Sequence, residues 1–258
     1  MANDRGDPQP AGSAGPLTRV AVLSDVHSNL AALEAVLASV DEAPPDELWC
    51  LGDVVGYGPR PNECCEIVEA RADLCLGGNH DLAVRGTIDL AEFSGDAAVA
   101  ARWTQGVLTE AARGFLDTLD PEGARDEVAM YHGSARDPVW EYVLSDEAAV
   151  ATLALAPYPV VLVGHSHVAL EVTWRDDALA GWPAADGDEV ALEGRVLLNP
   201  GSVGQPRDGN PHAAWLALDL DARTATFHRV EYDIARTQAE MRAAGLPEAL
   251  AVRLEQGL

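Results

Sequence analysis

The sequence predicts an α/β fold, and two observations carry that expectation. Between Leu17 and Leu76, short apolar runs alternate with helical stretches, the order that builds a parallel sheet with covering helices. Beyond Val128 the chain turns strand-rich, with several short connections that favour antiparallel neighbours. At 258 residues and 48% hydrophobic content, the chain can bury a sizeable core.

The elements follow in order. Residues 1–16 combine Pro, Gly, Ser and charge with almost no core-forming side chain and predict a disordered leader. Residues 17–258 then form one domain. Val20–Leu23 is the first strand. Leu30, Leu33, Val36, Leu37 and Val40 share one face of a helix capped by Ser28 or Asn29. Glu47–Leu51 is the second strand, Pro61 opens a helix that runs to Ala70, and Ala72–Leu76 is the third strand. An alanine-rich insertion near residues 90–120 reads as two helices. The second half contributes strands at Val128–Tyr131, Val160–Val163, Ala169–Trp174, Val196–Leu198, Ala213–Leu218 and Ala225–Val230. Ala180–Gly194 reads as a surface loop or loose hairpin, and the tail from Ile234 as helix broken at Gly245-Leu246-Pro247.

Charge narrows the function. Acidic residues outnumber basic ones 42 to 17, a net charge of −25, and every basic residue is arginine. Such a chain lacks the broad cationic face that nucleic-acid backbones require. It also repels phosphate at long range, so a phosphate-handling site needs local positive charge from arginine or metal. The cysteines Cys50, Cys64, Cys65 and Cys75 form no CxxC pair and no disulfide framework. With no signal peptide and no membrane-length apolar run, the expectation is a cytoplasmic protein.

The histidines are the strongest signal. Five of the seven, His27, His80, His132, His165 and His167, fall just after apolar strands, where open α/β sheets bind ligands. Asp25 shares the loop of His27; Gly52-Asp53 ends the second strand; Gly77-Gly78-Asn79-His80-Asp81 ends the third. Carboxylate, imidazole and amide oxygen are donors for a transition metal, and so many donors suit two ions sharing a carboxylate.

The set Asp25-x-His27, Gly52-Asp53, Gly78-Asn79-His80-Asp81, His132 and Gly164-His165-x-His167 resembles the calcineurin-like metallophosphoesterase superfamily. The resemblance spans Leu17 to about Val230. It implies two stacked mixed β-sheets flanked by helices. It also implies two divalent ions: Asp25, His27, Asp53 and His167 on one; Asp53, Asn79, His132 and His165 on the other. His80 would face the substrate as proton donor, beside Asp53 as the bridging carboxylate. Manganese leads the candidate metals, with iron, zinc, cobalt and nickel behind it; calcium fits mixed nitrogen and oxygen donors less well. The implied reaction is hydrolysis of phosphoesters by a hydroxide bridging the two ions.

Two segments bear on the substrate. Protein serine/threonine phosphatases of this superfamily carry Asp-Arg-Gly where this chain has Asp53-Val54-Val55-Gly56-Tyr57-Gly58. Asn199-Pro200-Gly201-Ser202-Val203-Gly204-Gln205-Pro206-Arg207 is similar to a loop of the small bacterial and archaeal phosphodiesterase branch, which includes diadenosine tetraphosphate hydrolases. The expected partner is a small phosphorylated molecule, phosphodiester or nucleotide anhydride. The alternatives are a phosphomonoester or phosphoprotein substrate, or a non-catalytic scaffold, a class that typically lacks the histidine present here as His80. Arg207 either clamps phosphate or pairs with a structural carboxylate. Asp81 either orients a ring or caps a helix. Tyr57 either lines a base-stacking wall or only makes a turn. Phe93, Trp103, Trp140 and Tyr142 either cover the site or pack in the core.

Overall fold

A computed structural model of the chain describes residues 19–93, 95–176 and 178–258; the leader expected at 1–16 lies outside them. The elements run β1 (Arg19–Leu23), α1 (Leu30–Val40), β2 (Glu47–Cys50), α2 (Pro61–Arg71), β3 (Leu74–Cys75) and α3 (Asn79–Val84). After a 3₁₀ turn at Leu90–Glu92 come α4 (Gly95–Val107), α5 (Glu110–Leu116), β4 (Glu122–Arg125), β5 (Val128–Tyr131) and α6 (Asp146–Leu155). The chain continues through β6 (Val160–Val163), β7 (Ala169–Arg175), β8 (Ala178–Pro183), β9 (Glu189–Ala191) and β10 (Arg195–Pro200). It closes with β11 (Ala213–Asp219), β12 (Thr224–Val230), α7 (Ile234–Ala243) and α8 (Glu248–Val252).

Two six-stranded mixed sheets result, ordered β3-β2-β1-β11-β12-β9 and β4-β5-β6-β10-β7-β8. Alternation along the strands explains why they stack. Val20 and Val22 of β1, Trp49 of β2, Val160 and Leu162 of β6, and Val196 and Leu198 of β10 fill the layer between the sheets. The intervening Ala21, Leu23, Leu48 and Cys50 face α1, α2 and α5, while Val161, Val163 and Leu197 face α6. Strands buried on both faces read as continuous apolar runs, which is why they stood out in the sequence.

In each sheet three neighbouring strands are parallel, β1-β2-β3 in one and β5-β6-β10 in the other. Their C-terminal ends lie on a common edge, so loops far apart in sequence meet there. Asn29, not Ser28, caps α1, accepting from Ala32 N–H. The Ala180–Gly194 expectation needs correction: the stretch holds most of β8 and all of β9, which edge different sheets. It lies largely on the surface, as expected, but crosses between the sheets as two edge strands that pair with β7 and β12 rather than with each other. Among the described residues no helix is long and apolar enough to cross a membrane, and all four cysteines are free thiols.

Candidate active site

Each strand-end loop delivers buried polar side chains to the shared edge. Asp25 and His27 follow β1, Asp53 follows β2, Asn79 and His80 open α3, His132 follows β5, and His165 and His167 follow β6; all are at most 3% exposed. Asp25, His27, Asp53, His165 and His167 all adopt positive φ, between 48° and 64°. Left-handed backbone at non-glycine residues costs on the order of 1–3 kcal/mol each and persists only where surrounding structure enforces it. Here the enforcement is visible. Asp25 N–H donates to Gly52 carbonyl at 3.0 Å and His27 N–H to Asp53 carbonyl at 2.9 Å. Val203 N–H and Gly204 N–H grip the Ser24 and Asp25 carbonyls from across the site.

The side chains gather in two groups, Asp25 with His27, Asp53 and His167, and Asp53 with His132 and His165. Asp53 is common to both. Its Oδ2 lies 3.6 Å from His27 Nε2 and 3.5 Å from His132 Nε2, while its Oδ1 accepts His80 N–H at 2.8 Å. Asn79 Oδ1 lies 3.2 Å from His132 Nε2.

Hydrogen bonds fix which ring nitrogens are free. His27 Nδ1 donates to the Val55 carbonyl and His167 Nδ1 to the Gln205 carbonyl, at 3.1 and 2.6 Å. Burial holds both rings neutral, with pKa values well below the ordinary imidazole range. Both Nε2 atoms therefore carry lone pairs, yet they face each other at 3.0 Å. Asp25 Oδ1, buried and without a partner among the described residues, lies 3.3 Å from His167 Nε2. Above about pH 7, where Asp25 is ionised, these are converging acceptors with no donor between them; they are mutually repulsive, and a cation resolves the conflict. The donor set fits a divalent transition metal.

The second group carries a proton instead. Burial alone would depress His132, but the Asp53 carboxylate outweighs it and raises the pKa to about 9. For Asp53, burial is likewise outweighed by His132, His80 and His27, which hold its carboxyl far below the usual range. Asp25 is pushed up to about 7, first by burial, with His132 opposing and Asp53 adding to the rise. Both raised groups hold protons that a cation must displace, so metal affinity is expected to fall as pH falls. Between pH 9 and 7 the slope of log affinity against pH should be about one, from His132, and steepen below 7 as Asp25 joins. Titration against a chelator of known affinity measures it; a flat profile would overturn the protonation scheme.

Gly78 makes the arrangement possible. A Cβ there would overlap Asp53 Oδ1 and its carboxyl carbon, so Gly78→Ala should displace the shared carboxylate and lower metal content at least about tenfold in elemental analysis. A variant that keeps its metal would mean that Asp53 is dispensable.

His80 stands outside both metal-capable groups. Its ring meets His27, Tyr57 and Phe93 at centroid distances of 4.9, 4.4 and 4.8 Å, its Nδ1 has no partner, and burial lowers its pKa to about 4. It lines a cavity of about 230 Å³ with Asp53, Tyr57, Asn79, Phe93, Trp140, Tyr142, His165, His167 and Arg207. A larger cavity of about 500 Å³ beside β7 and β8 is walled by Leu144, Leu170, Val172 and Leu179, and no histidine lines it. Asp53 and the histidines His80, His165 and His167 line the smaller one.

The open alternatives resolve individually. Arg207 has no carboxylate within salt-bridge reach among the described residues; it donates to Gln205 Oε1 at 2.8 Å and Tyr57 Oη at 3.3 Å. Asp81 bonds no ring and accepts the N–H groups of Gly78, Val54 and Val55, tying the start of α3 to the Asp53 loop. Phe93, Trp140 and Tyr142 line the cavity, Tyr142 stacking on His165 at 4.1 Å, whereas Trp103 packs with Met241 and Leu250. Sequence reasoning missed the Trp140 carbonyl, 3.2 Å from His165 Nε2, which leaves His165 Nδ1 as its free donor. No side-chain signal could have revealed a backbone contact.

Two stacked mixed sheets whose strand ends hold buried Asp and His clusters able to take a metal are the architecture of the metallophosphoesterase fold. The chain belongs to the calcineurin-like phosphoesterase superfamily, whose domain matches residues 18–223. It is 42% identical to a metallophosphoesterase from Sphaerobacter thermophilus, covering 94% of this chain and 100% of that one, with a TM-score of 0.84. It is 35% identical over 243 residues to an uncharacterized protein of Methanocaldococcus jannaschii, covering 92% of this chain and 98% of that one. A hypothetical protein of Pyrococcus horikoshii shares the fold at 20% identity, covering 93% of this chain and 98% of that one, with a TM-score of 0.77.

Proposed function

We propose that the protein is a dinuclear metal-dependent phosphoesterase acting on phosphodiesters or nucleotide anhydrides. The observation that carries this reading is the placement of Asp53 Oδ2 between His27 and His132, beside a cavity that also presents a free imidazole and an uncommitted arginine. Asp25, His27, Asp53 and His167 would hold one ion, and Asp53, Asn79, His132 and His165 the other. When bound, two divalent ions supply the water acidification and positive charge that attack on phosphorus requires.

The chain's own residues do the rest. Arg207, preset by Tyr57 and Gln205, offers its guanidinium to a non-bridging phosphate oxygen. It supplies locally the positive charge that a net −25 surface withholds. His80 faces the leaving group and gives it a proton. The incoming phosphate raises the basicity of His80 above its buried value, so the ring gains its proton as substrate binds. Phe93, Trp140 and Tyr142 form an aromatic rim suited to an organic arm of the substrate. Manganese leads the candidate metals, and the four free thiols fit a cytoplasmic location.

The test is hydrolysis by manganese-loaded protein of bis-p-nitrophenyl phosphate against p-nitrophenyl phosphate. The diester should be preferred. Preference for the monoester would move the assignment to a monoesterase, and no turnover across a panel of nucleotides and dinucleoside polyphosphates would favour a non-catalytic scaffold.

A further inference from the structure

The catalytic cavity has a buried end and an exposed end, and their chemistry differs. At the buried end stand Asp53 and the histidines, each at most 3% exposed. At the exposed end stand Trp140 and Tyr142, 36% and 46% exposed, together with Glu92, the last residue of the 3₁₀ turn in the insertion. Phe93, which follows Glu92, spans the two ends: its ring meets His80 at 4.8 Å and Trp140 at 5.4 Å. Glu92 is the one carboxylate lining this cavity besides Asp53, and Asp53 is common to both metal-capable groups. The Glu92 carboxylate has no hydrogen-bond or ion-pair partner among the described residues.

A carboxylate beside aromatic rings is a setting for a cation, because the ring faces and the negative charge both attract it. The same carboxylate repels a further phosphoryl group. The charge of the whole chain acts in the same direction. With 42 acidic residues against 17 basic ones, the surface holds off polyanions but not a zwitterion, whose phosphate and ammonium charges cancel at long range. We propose that Glu92, Phe93, Trp140 and Tyr142 form a subsite for a cationic arm of the substrate, a phosphodiester that carries an alkylammonium group on one ester and sets its phosphate beside Arg207. The proposal rests on the phosphoesterase reading and narrows it from diesters and anhydrides to zwitterionic diesters.

The experiment gives manganese-loaded protein two diesters: p-nitrophenyl phosphocholine, and its neutral analogue in which a carbon atom replaces the ammonium nitrogen. Leaving group and shape are the same, so the ratio of kcat/KM values reads the charge of the arm alone. The wild type should favour the choline ester about tenfold, the product of an exposed cation–π contact and an exposed ion pair. Glu92→Gln and Trp140→Leu should each cut the preference to about threefold, and the double variant should show almost none. Salt screens the ion pair, so the preference should fall with ionic strength in the wild type and hold steady in Glu92→Gln. A wild-type ratio near one, a ratio that Glu92→Gln leaves unchanged, or turnover of bis-p-nitrophenyl phosphate with neither alkyl ester accepted would overturn the subsite. Absence of turnover on all three diesters would overturn the phosphoesterase reading itself, and the subsite with it.

Discussion

Asp53→Asn is expected to abolish metal binding in both halves of the site at once. The carboxylate is the one side chain common to the two groups, with Oδ2 at 3.6 and 3.5 Å from the Nε2 atoms of His27 and His132. Asparagine preserves the shape, and its amide oxygen can still accept His80 N–H in place of Oδ1. Its NH₂ group then points at the imidazoles, a donor where a cation belongs. Loss of a residue that merely orients a ligand costs roughly 10–100-fold in metal affinity, so loss of a shared ligand should exceed that for each ion. Elemental analysis should find neither ion retained, and turnover should fall roughly 1,000-fold or more. The His132 pKa, held near 9 by the Asp53 charge against burial, should drop below the ordinary value, a shift visible by NMR in metal-free protein. Retention of one ion would mean two independent sites rather than a shared carboxylate.

How much of this was legible in the sequence depends on which interactions made each feature. The strands flanking the site were readable because both their faces are buried, which leaves unbroken apolar runs such as Val160–Val163. The edge strands were not. β4, Glu-Gly-Ala-Arg, is mostly exposed and exists through its antiparallel pairing to β5, which no local pattern records. β8 and β9 hide in a stretch rich in Gly, Pro and Asp for the same reason. Helix α6 is different, since Ser145 caps it and Asp146 and Glu147 stand in its first turn; that signal was present and went unread. At the site, the residue types and their order were legible, because the chemistry of a metal pocket restricts them to Asp, His and Asn. Their positive φ angles were not, and neither were the carbonyls of Val55, Gln205 and Leu51 that select the ring tautomers. Those depend on adjacency between segments up to 177 positions apart, such as Ser202 Oγ on the Asp25 carbonyl.

His80→Ala tests the other half of the mechanism, the proton. The ring lies outside both metal-capable groups, so the variant should keep its metal while losing roughly 100- to 10,000-fold in turnover, the range of a single general acid. Its size should depend on the leaving group. An alkoxide such as a ribose oxygen cannot depart without a proton, whereas p-nitrophenolate is stable enough to leave unaided. The deficit should therefore be large for a nucleotide diester and small for bis-p-nitrophenyl phosphate. The pH profile carries the same sign. Burial holds the ring near pKa 4, so it donates only when bound phosphate raises that value, and turnover of the alkoxide substrate should decline as pH rises through the raised pKa. His80→Ala should remove that alkaline limb. Equal losses on both leaving groups would assign His80 to holding the phosphate rather than protonating the departing oxygen. Loss of metal would make it a ligand, and the partition between binding groups and proton donor drawn from Asp53, His27 and His132 would have to be redrawn.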